Sequence, residues 1–428
     1  MSIRIKTGRT RPAAAAGVFA LRGRDRPSLI AALERISAIA SRLSIHELHN
    51  LAYRLGRETA GASAAGPGQG QGQGQGPGPA DGDREIRVTV TASNQEQLAE
   101  RAHRGAALVG AVPGGSMVSD TGVRVSCGAR GRVMLVFPGH AIPDGTAHGD
   151  MAWPAAEAAT LARSLGVLRW LERLGVRATA AVGHGLGEIA GLVWAGSLPA
   201  PEAARLIAQH GQVRRGLGVT RTAMVRVVAD EAPAAALRGS CGLAVAADES
   251  PRSHVLAGPA SGIRHLTRQA AALGVTASTL NAAHALHTPV MAPCAAPLRS
   301  VLAQFRFGPP RLRLVSTVTA RDLTPQDDIA AILCAQLTSP VRFREALRAA
   351  SDGADLILVA GADEALAAAA GACGVPAIGF PRPGWLPGEG VADCAAALFA
   401  AGAHDGRGGP GPRPGGPSGR RAGGHTCE

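Results

Sequence analysis

The sequence predicts an α/β fold built on a parallel sheet. Two short apolar runs, residues 131–138 and 178–182, have the composition of buried strands. Between them lies a helical pattern that ends in LRWLERLGV, where Gly175 is a suitable C-terminal cap, and another helix is predicted after the second run. Strands that alternate with helices in this order are typical of a parallel sheet. Similar apolar runs at 312–316 and 355–359 are expected to add strands to it.

The preceding part of the chain predicts a small α+β unit over residues 17–130. The stretch GPGQGQGQGQGPGPADG interrupts it, and because this composition cannot form a core, we expect a flexible Gly/Gln loop over residues 61–83. The predicted elements are strands at 17–21 and 86–90, helices at 27–43 and 95–108, and a helix capped by Ser44 with Glu47.

A different pattern of short strands occupies residues 223–282. It predicts a small α+β insertion that divides the main unit into residues 131–222 and 283–400. Both ends, residues 1–16 and 401–428, are predicted to be disordered, the second because it is mostly Gly, Pro and Arg. Within the insertion the predicted elements are strands at 224–228, 243–247 and 255–257 and a helix at 261–273.

Composition narrows the class of protein. The chain has 428 residues, a net charge of +12, and only 3% aromatic residues. Its arginines are scattered and are not interleaved with aromatic residues, so nucleic-acid binding is not expected. The seven cysteines form no CxxC pair, which argues against a zinc or redox motif and favours free thiols in a reducing cytoplasm. No segment is apolar for long enough to be a signal peptide or a membrane helix, so we expect a cytoplasmic protein without a membrane partner.

The string GHGLGE, residues 183–188, follows the second apolar run directly. The related pattern GxSxG places a nucleophilic serine on a sharp turn between a strand and a helix, where flanking glycines permit the strained backbone and a helix amide stabilises an oxyanion. Both flanking glycines are present, but Gly185 stands at the serine position. The sequence therefore predicts a nucleophile turn without its nucleophile.

Several ordered motifs resemble the malonyl-CoA:acyl-carrier-protein transacylase family, in particular the acyltransferase domains of polyketide synthases. The resemblance implies an α/β-hydrolase-like parallel-sheet core with an inserted ferredoxin-like subdomain at 223–282. It also implies that residues 17–130 are similar to the linker between ketosynthase and acyltransferase. The motifs are FPGHA at 137–141, GHGLGE, HALH at 284–287, LVSTVT at 314–319 and QLTSPVRF at 336–343.

The resemblance assigns roles to individual positions. Gly185 takes the place of the nucleophilic serine, and His287 that of the general base. The oxyanion hole falls on His140 and Leu186, and His210 replaces the arginine that binds the free carboxylate of malonyl-type substrates. Substrate-binding positions are His184, His210, His284 and Leu286. No metal and no cofactor is expected.

These departures predict impaired catalysis, because glycine has no oxygen with which to form an acyl ester. Only 45 positions separate His140 from Gly185, which is short for the family and indicates that part of the acyl-binding wall is missing. The expected role is then to dock an acyl carrier protein, with its phosphopantetheine-linked acyl chain, or a ketosynthase, with acyl-CoA as a further ligand.

Other readings of the sequence stay open. His287 can act as a base for direct transfer or thioester hydrolysis without a covalent intermediate. The chain can instead be an interaction protein unrelated to acyl groups. A new metal or acid–base site formed by His140, His184, His210 and His287 is disfavoured, because their spacing matches no known metal pattern. Cys294 as a substitute nucleophile is also disfavoured, since it does not lie at a turn of this kind.

Overall fold

The computed structural model describes residues 16–64, 84–139, 153–216, 222–280, 284–380 and 389–404. Its strands are β1 (Gly17–Gly23), β2 (Ile86–Ala92), β3 (Met117–Asp120), β4 (Val123–Cys127), β5 (Val133–Phe137), β6 (Ala178–Gly183), β7 (Thr222–Val228), β8 (Ala244–Ser250), β9 (Ser253–Pro259), β10 (Thr276–Leu280), β11 (Leu314–Val315), β12 (Leu356–Val359) and β13 (Ala377–Gly379).

Its helices are α1 (Arg26–Ala40), α2 (Ile45–Ala64), α3 (Gln95–Ala111), α4 (Trp153–Arg173), α5 (Gly187–Trp194), α6 (Ala200–Gly216), α7 (Glu231–Cys241), α8 (Ala260–Ala272), α9 (Ala295–Leu302), α10 (Ile329–Gln336), α11 (Phe343–Ala350), α12 (Glu364–Gly371) and α13 (Glu389–Ala400). A 3₁₀ helix spans Pro289–Cys294. None of these helices, within the described ranges, is long and apolar enough to cross a bilayer.

The central sheet has five parallel strands in the order β11-β6-β5-β12-β13. All five residues of β5 are fully buried, as expected for a parallel strand that is covered on both faces. The α/β class with a parallel sheet is therefore confirmed. The strand predicted at 312–316 is shorter than expected, since only Leu314–Val315 pair with β6.

A second sheet, antiparallel and in the order β10-β7-β9-β8, is formed by residues 222–280. Ala246, Ala247 and Val255 share one apolar cluster with Val182 of the central sheet and Phe343 of α11. A backbone hydrogen bond of 2.8 Å from Val341 N to Ala246 O also joins this second sheet to the segment that precedes α11. The sequence missed α7 and β10, which have short and weakly periodic apolar patterns.

The third sheet lies in the N-terminal part and has the antiparallel order β1-β2-β4-β3. Helices α1 and α3 contribute Leu33 and Leu98 to its core. The sequence missed the hairpin of β3 and β4, because a four-residue strand gives too short an alternation to stand out. Gly122 closes this hairpin with a φ of 69°, in the left-handed region that favours glycine.

Helix α13 returns from the central body to pack on this N-terminal sheet. The Thr91 hydroxyl donates to the Asp393 carboxylate at 3.0 Å, and Arg124 pairs with Asp393 at 3.2 Å.

The tail was predicted to be disordered from residue 401 onward, and that boundary is wrong. Ala401 is fully buried, and its carbonyl accepts a 2.8 Å hydrogen bond from Gly131 N, so the packing continues past α13. Residues 405–428 and 1–15 lie outside the described residues.

The boundaries of α2 test two further expectations. The Ser44–Glu47 capping box is confirmed, because Glu47 accepts from Ser44 N at 2.7 Å and Ser44 Oγ accepts from Glu47 N at 3.3 Å. The loop predicted from residue 61 starts too early, since α2 continues to Ala64. Residues 65–83 lie outside the described residues.

Candidate active site

The predicted turn lies between β6, which ends at Gly183, and α5, which begins at Gly187. His184 N donates to Phe137 O at 2.8 Å, which anchors the turn to β5. Gly187 N then donates to His184 O at 3.0 Å, so the chain reverses within four residues. Gly185 sits at the tip with a φ of 55°, a left-handed conformation that side-chain-bearing residues adopt only under strain.

The glycines beside the tip are required by close packing. A Cβ atom on Gly187 would lie 2.0 Å from Phe137 O, and one on Gly183 would lie 2.3 Å from Glu188 Cα. A Cβ atom on Gly139 would lie 1.9 Å from His184 O. The turn therefore keeps the compact geometry of a nucleophile turn.

His287 faces the tip of the turn. A Cβ atom built on Gly185 would lie 3.0 Å from His287 Nε2. On the other side of the ring, Nδ1 lies 2.8 Å from the carbonyl oxygen of Gln336. A carbonyl can only accept, so Nδ1 carries the proton and Nε2 is left with a lone pair on the side of Gly185.

Gln336 joins both halves of this arrangement. Its backbone carbonyl orients the His287 ring, and its side-chain amide donates to Gly185 O at 2.9 Å. Gln336 is buried at the end of α10, and the backbone N–H of His287 donates to Leu337 O at 3.0 Å. His287 itself has a φ of 61°, a left-handed conformation that is strained for a residue with a side chain.

His210 lies on α6 and is buried. Burial holds the pKa of its imidazole well below 6.5, and electrostatic interaction with Arg214, and with His287 when that ring is protonated, lowers the pKa further. The ring is therefore neutral at pH 7. A neutral ring lacks the charge and the planar fork with which an arginine binds a carboxylate.

His184 is turned toward the second sheet. Its Nε2 lies 3.3 Å from the Glu249 carboxylate, which also receives two 2.9 Å hydrogen bonds from Arg226. Although burial acts to raise the pKa of Glu249, His184 and Arg226 bring that pKa well below its ordinary value. This buried charge network joins the turn to β7 and β8.

Glu188 fixes the first turn of α5. Its buried carboxylate accepts hydrogen bonds from the Thr317 backbone N–H at 2.5 Å and from the Thr317 hydroxyl at 2.7 Å. Ser316 adds a third at 3.1 Å. Burial nevertheless raises the pKa of Glu188 above its usual value. The LVSTVT motif is therefore a structural support of the turn.

The remaining predicted positions are more dispersed. Leu186 is buried and immediately precedes α5, where the resemblance expects an oxyanion-binding amide. Leu286 packs between the two apolar clusters on either side of the central sheet, and His284 is half-buried. His140 lies outside the described residues. Across the described ranges, no three His, Cys, Asp or Glu side chains form a group able to hold a metal ion.

Sequence reasoning missed three supports of this site. Gln336 stands in the quoted motif QLTSPVRF, but no role was assigned to it. Arg226 lies in β7 and Glu249 in β8, and β9 separates the two strands, so only the assembled sheet brings their side chains together beneath His184. Charged residues within short buried strands are the available signal, because such charges need a partner.

A parallel sheet, a tight glycine turn after one of its strands and a histidine facing the tip of that turn define a protein of acyltransferase architecture. The sequence pattern of the family described as "Acyl transferase domain" matches residues 156–374, more than half of the chain. The chain therefore belongs to this family, and its relatives there are the acyltransferase domains of polyketide synthases.

Three comparisons illustrate the likeness. The solved acyltransferase domain of the iterative polyketide synthase in enediyne biosynthesis is 31% identical, with a TM-score of 0.72 over 91% of this chain and 97% of that chain. Polyketide synthase GfsB of Streptomyces halstedii is 32% identical over 54% of this chain, and the chain spans only 4% of that protein. The malonyl CoA-acyl carrier protein transacylase of Coxiella burnetii, 21% identical with a TM-score of 0.51, shares the fold over 64% of this chain and 99% of that chain.

Proposed function

We propose that this protein binds acyl thioesters in a polyketide assembly system without forming the acyl-enzyme of its relatives. One observation carries the proposal: the position that faces His287 Nε2 is Gly185, which has no oxygen. In the ordinary reaction, the base takes a proton from a serine hydroxyl, the oxygen attacks the thioester carbonyl, and the C–S bond breaks. Without that hydroxyl, no ester bond can form at the turn, and kcat is expected to fall on the order of 10⁶-fold.

The partner that we propose is an acyl carrier protein. A transacylase of the same fold acts on acyl carrier protein, as its name states. The net charge of +12 favours a partner with negative charge, and a phosphopantetheine arm carries a phosphate. We also propose that residues 17–130, with their own antiparallel sheet, form the unit that meets a ketosynthase. The large subdomain would consist of residues 131–222 and 283–400, and the small subdomain of residues 223–282. We expect the protein to act in the cytoplasm.

Intact-protein mass spectrometry tests the missing nucleophile. The native chain, Gly185→Ser and Gly185→Ala are each incubated with malonyl-CoA and with butyryl-CoA. Only Gly185→Ser is expected to gain the mass of an acyl group, because the alanine variant has the same backbone strain but no hydroxyl. A stable acyl adduct on the native chain would overturn the proposal.

The proposed partner is tested by measuring how tightly the protein binds a carrier domain that is attached to a sensor surface and carries its phosphopantetheine arm. The native chain is expected to bind the carrier with its pantetheine arm more tightly than the same carrier without it. Equal binding of the two forms, or none, would count against the acyl-thioester role and favour an interaction protein unrelated to acyl groups.

The orientation of His287 favours a second candidate function, thioester hydrolysis. With its Nδ1 held by Gln336, Nε2 is aimed at the space that a serine oxygen would take. A water there would give its proton to Nε2 while its oxygen attacks the thioester carbonyl; the C–S bond breaks and the thiolate takes the proton back. Release of CoA by the native chain that is lost in His287→Ala would establish this function, and equal rates in both would exclude it.

A further inference from the structure

A buried polar trio, formed by Glu157, His210 and Arg214, lies on helices α4 and α6. His210 and Arg214 are four residues apart on α6 and so project from the same helical face. Glu157, His210 and Arg214 are exposed by only 3%, 8% and 6%. Charged side chains are seldom buried this deeply unless they are paired, so the trio needs an explanation.

Arg214 already has a counter-ion. Its terminal nitrogen Nη2 contacts both carboxylate oxygens of Glu157 at 2.5 Å, and the charges of the pair cancel. His210 adds no charge, since burial and its neighbours hold the pKa of its ring well below 6.5. The trio is therefore neutral as a whole, although it contains a guanidinium.

The trio lies beside the candidate active site. His210 is within electrostatic range of both Arg214 and His287, and Nε2 of His287 faces the Gly185 turn. Arg214 also reaches Cys294 electrostatically, at the end of the 3₁₀ helix that follows His287. The trio therefore lies near His287, with His210 as the member that His287 influences directly.

Two polar atoms of the trio lack a hydrogen-bond partner among the described residues. These are Arg214 Nε, which can only donate, and His210 Nδ1, which donates or accepts according to the tautomer. Both atoms are buried, and a buried polar atom without a partner is costly. A ligand oxygen within hydrogen-bonding reach of either atom would satisfy it without adding charge.

We propose that this trio selects the acyl group, and that it takes an uncharged acyl chain with an oxygen substituent, such as a 3-hydroxyacyl thioester, and rejects a carboxyacyl chain such as malonyl. The inference rests on the proposed acyl-thioester binding and names its substrate class. A malonyl carboxylate would bring a second negative charge to a guanidinium that Glu157 has already neutralised, in a site with little solvent to screen it. A hydroxyl brings only an acceptor for Arg214 Nε and a donor or acceptor for His210.

Calorimetric titration of the native chain with 3-hydroxybutyryl-CoA, butyryl-CoA and malonyl-CoA tests the inference. We expect 3-hydroxybutyryl-CoA to bind most tightly and malonyl-CoA at least about tenfold more weakly than butyryl-CoA. In Glu157→Gln the guanidinium loses its counter-ion, so malonyl-CoA should gain about tenfold in affinity. The matched control is Glu202→Gln, which breaks an exposed pair with Arg205 on the same helix and should leave all three affinities unchanged.

A double variant guards against misfolding of Glu157→Gln. Replacing both residues, Glu157→Met with Arg214→Met, removes the two buried charges together. Proteins often keep their stability when a buried ion pair is replaced by apolar residues in this way. This variant should lose the preference for 3-hydroxybutyryl-CoA over butyryl-CoA and still reject malonyl-CoA. The inference is overturned if the double variant keeps the preference for 3-hydroxybutyryl-CoA. It is also overturned if the native chain binds malonyl-CoA as tightly as butyryl-CoA. If no acyl-CoA binds at all, the proposed function itself fails, and the two failures are thereby distinguished.

Discussion

His287 directs Nε2 at the tip of the turn, 3.0 Å from the point where a Cβ atom on Gly185 would stand. The ring is held from behind by a backbone carbonyl, so this orientation does not depend on a side-chain partner at the tip. A histidine whose Nε2 is free of a proton therefore faces the tip of a turn that carries no hydroxyl group. The consequences for stability and catalysis can be separated by substitution.

Gly185→Ser should cost less stability than Gly185→Ala. Both side chains meet the left-handed φ of 55° and a close contact with the His287 ring, which should destabilise each variant by about 1–3 kcal/mol. Only the serine can return a hydrogen bond to Nε2, worth about 1 kcal/mol. Urea unfolding of the two variants beside the native chain measures the difference. Equal losses would show that a serine oxygen does not reach the imidazole.

Gly187→Ala should destabilise the protein by about 3 kcal/mol or more, because its Cβ atom would overlap the Phe137 carbonyl and backbone would have to move. The matched control is Gly110→Ala, in α3, where a Cβ atom meets nothing within 4 Å. That change should stabilise the protein by about 0.5–1 kcal/mol, since alanine is the better helix former. Thermal unfolding of both variants is the measurement, and a mild effect at Gly187 would contradict the tight turn.

Glu249→Gln should cost about 3 kcal/mol, because it leaves the largely buried Arg226 guanidinium without its charge partner. Glu345→Gln is the control: it breaks an exposed pair with Arg342 and should cost no more than about 1 kcal/mol. The pKa of Glu249 is lowered by folding, so its stabilising effect is present above the unfolded value of 4.5 and is lost as pH falls below it. Native stability should therefore fall more steeply below pH 4.5 than that of Glu249→Gln.

His210 should make the native chain less stable as the solution becomes mildly acidic. Its pKa is lowered on folding, so the unfolded chain binds more protons below pH 6.5, and stability falls by at most about 1.4 kcal/mol per pH unit. His210→Gln should remove this part of the slope, whereas His103→Gln, at an exposed position of α3, should not. Unfolding curves between pH 5 and pH 8 measure the slopes. Identical slopes in the native chain and His210→Gln would mean that the ring is not buried in solution.

The sequence was sufficient to predict the parts of this protein that repeat a strong local pattern. The apolar run of β5, the GHGLGE turn and the Ser44–Glu47 box each carry their signal within a few residues, and each was confirmed as an element of structure. The hairpin at Gly122 escaped because its strands are too short to show a period.

The polar supports of the site were hidden for a different reason. Glu157 and Arg214 are 57 positions apart, and Gln336 meets Gly185 across 151 positions, so only the packing of helices on the sheet brings them together. No local pattern encodes such contacts. The roles assigned to Gly185, His287 and His210 remain predictions from the resemblance, although the fold brings these three positions into one region.

The return of α13 to the N-terminal sheet sets a practical boundary for protein engineering. Because Asp393 is shared by Thr91 and Arg124, and Ala400 O accepts from the Ser126 hydroxyl, the first hundred or so residues are completed by a segment near the opposite end of the chain. A chimera that exchanges the N-terminal sheet alone would pack it against an α13 from another chain, and the hydrogen bonds that Thr91, Arg124 and Ser126 make to this helix would be lost wherever their partners differ. Exchanges between members of this family should therefore transplant the two distant pieces together.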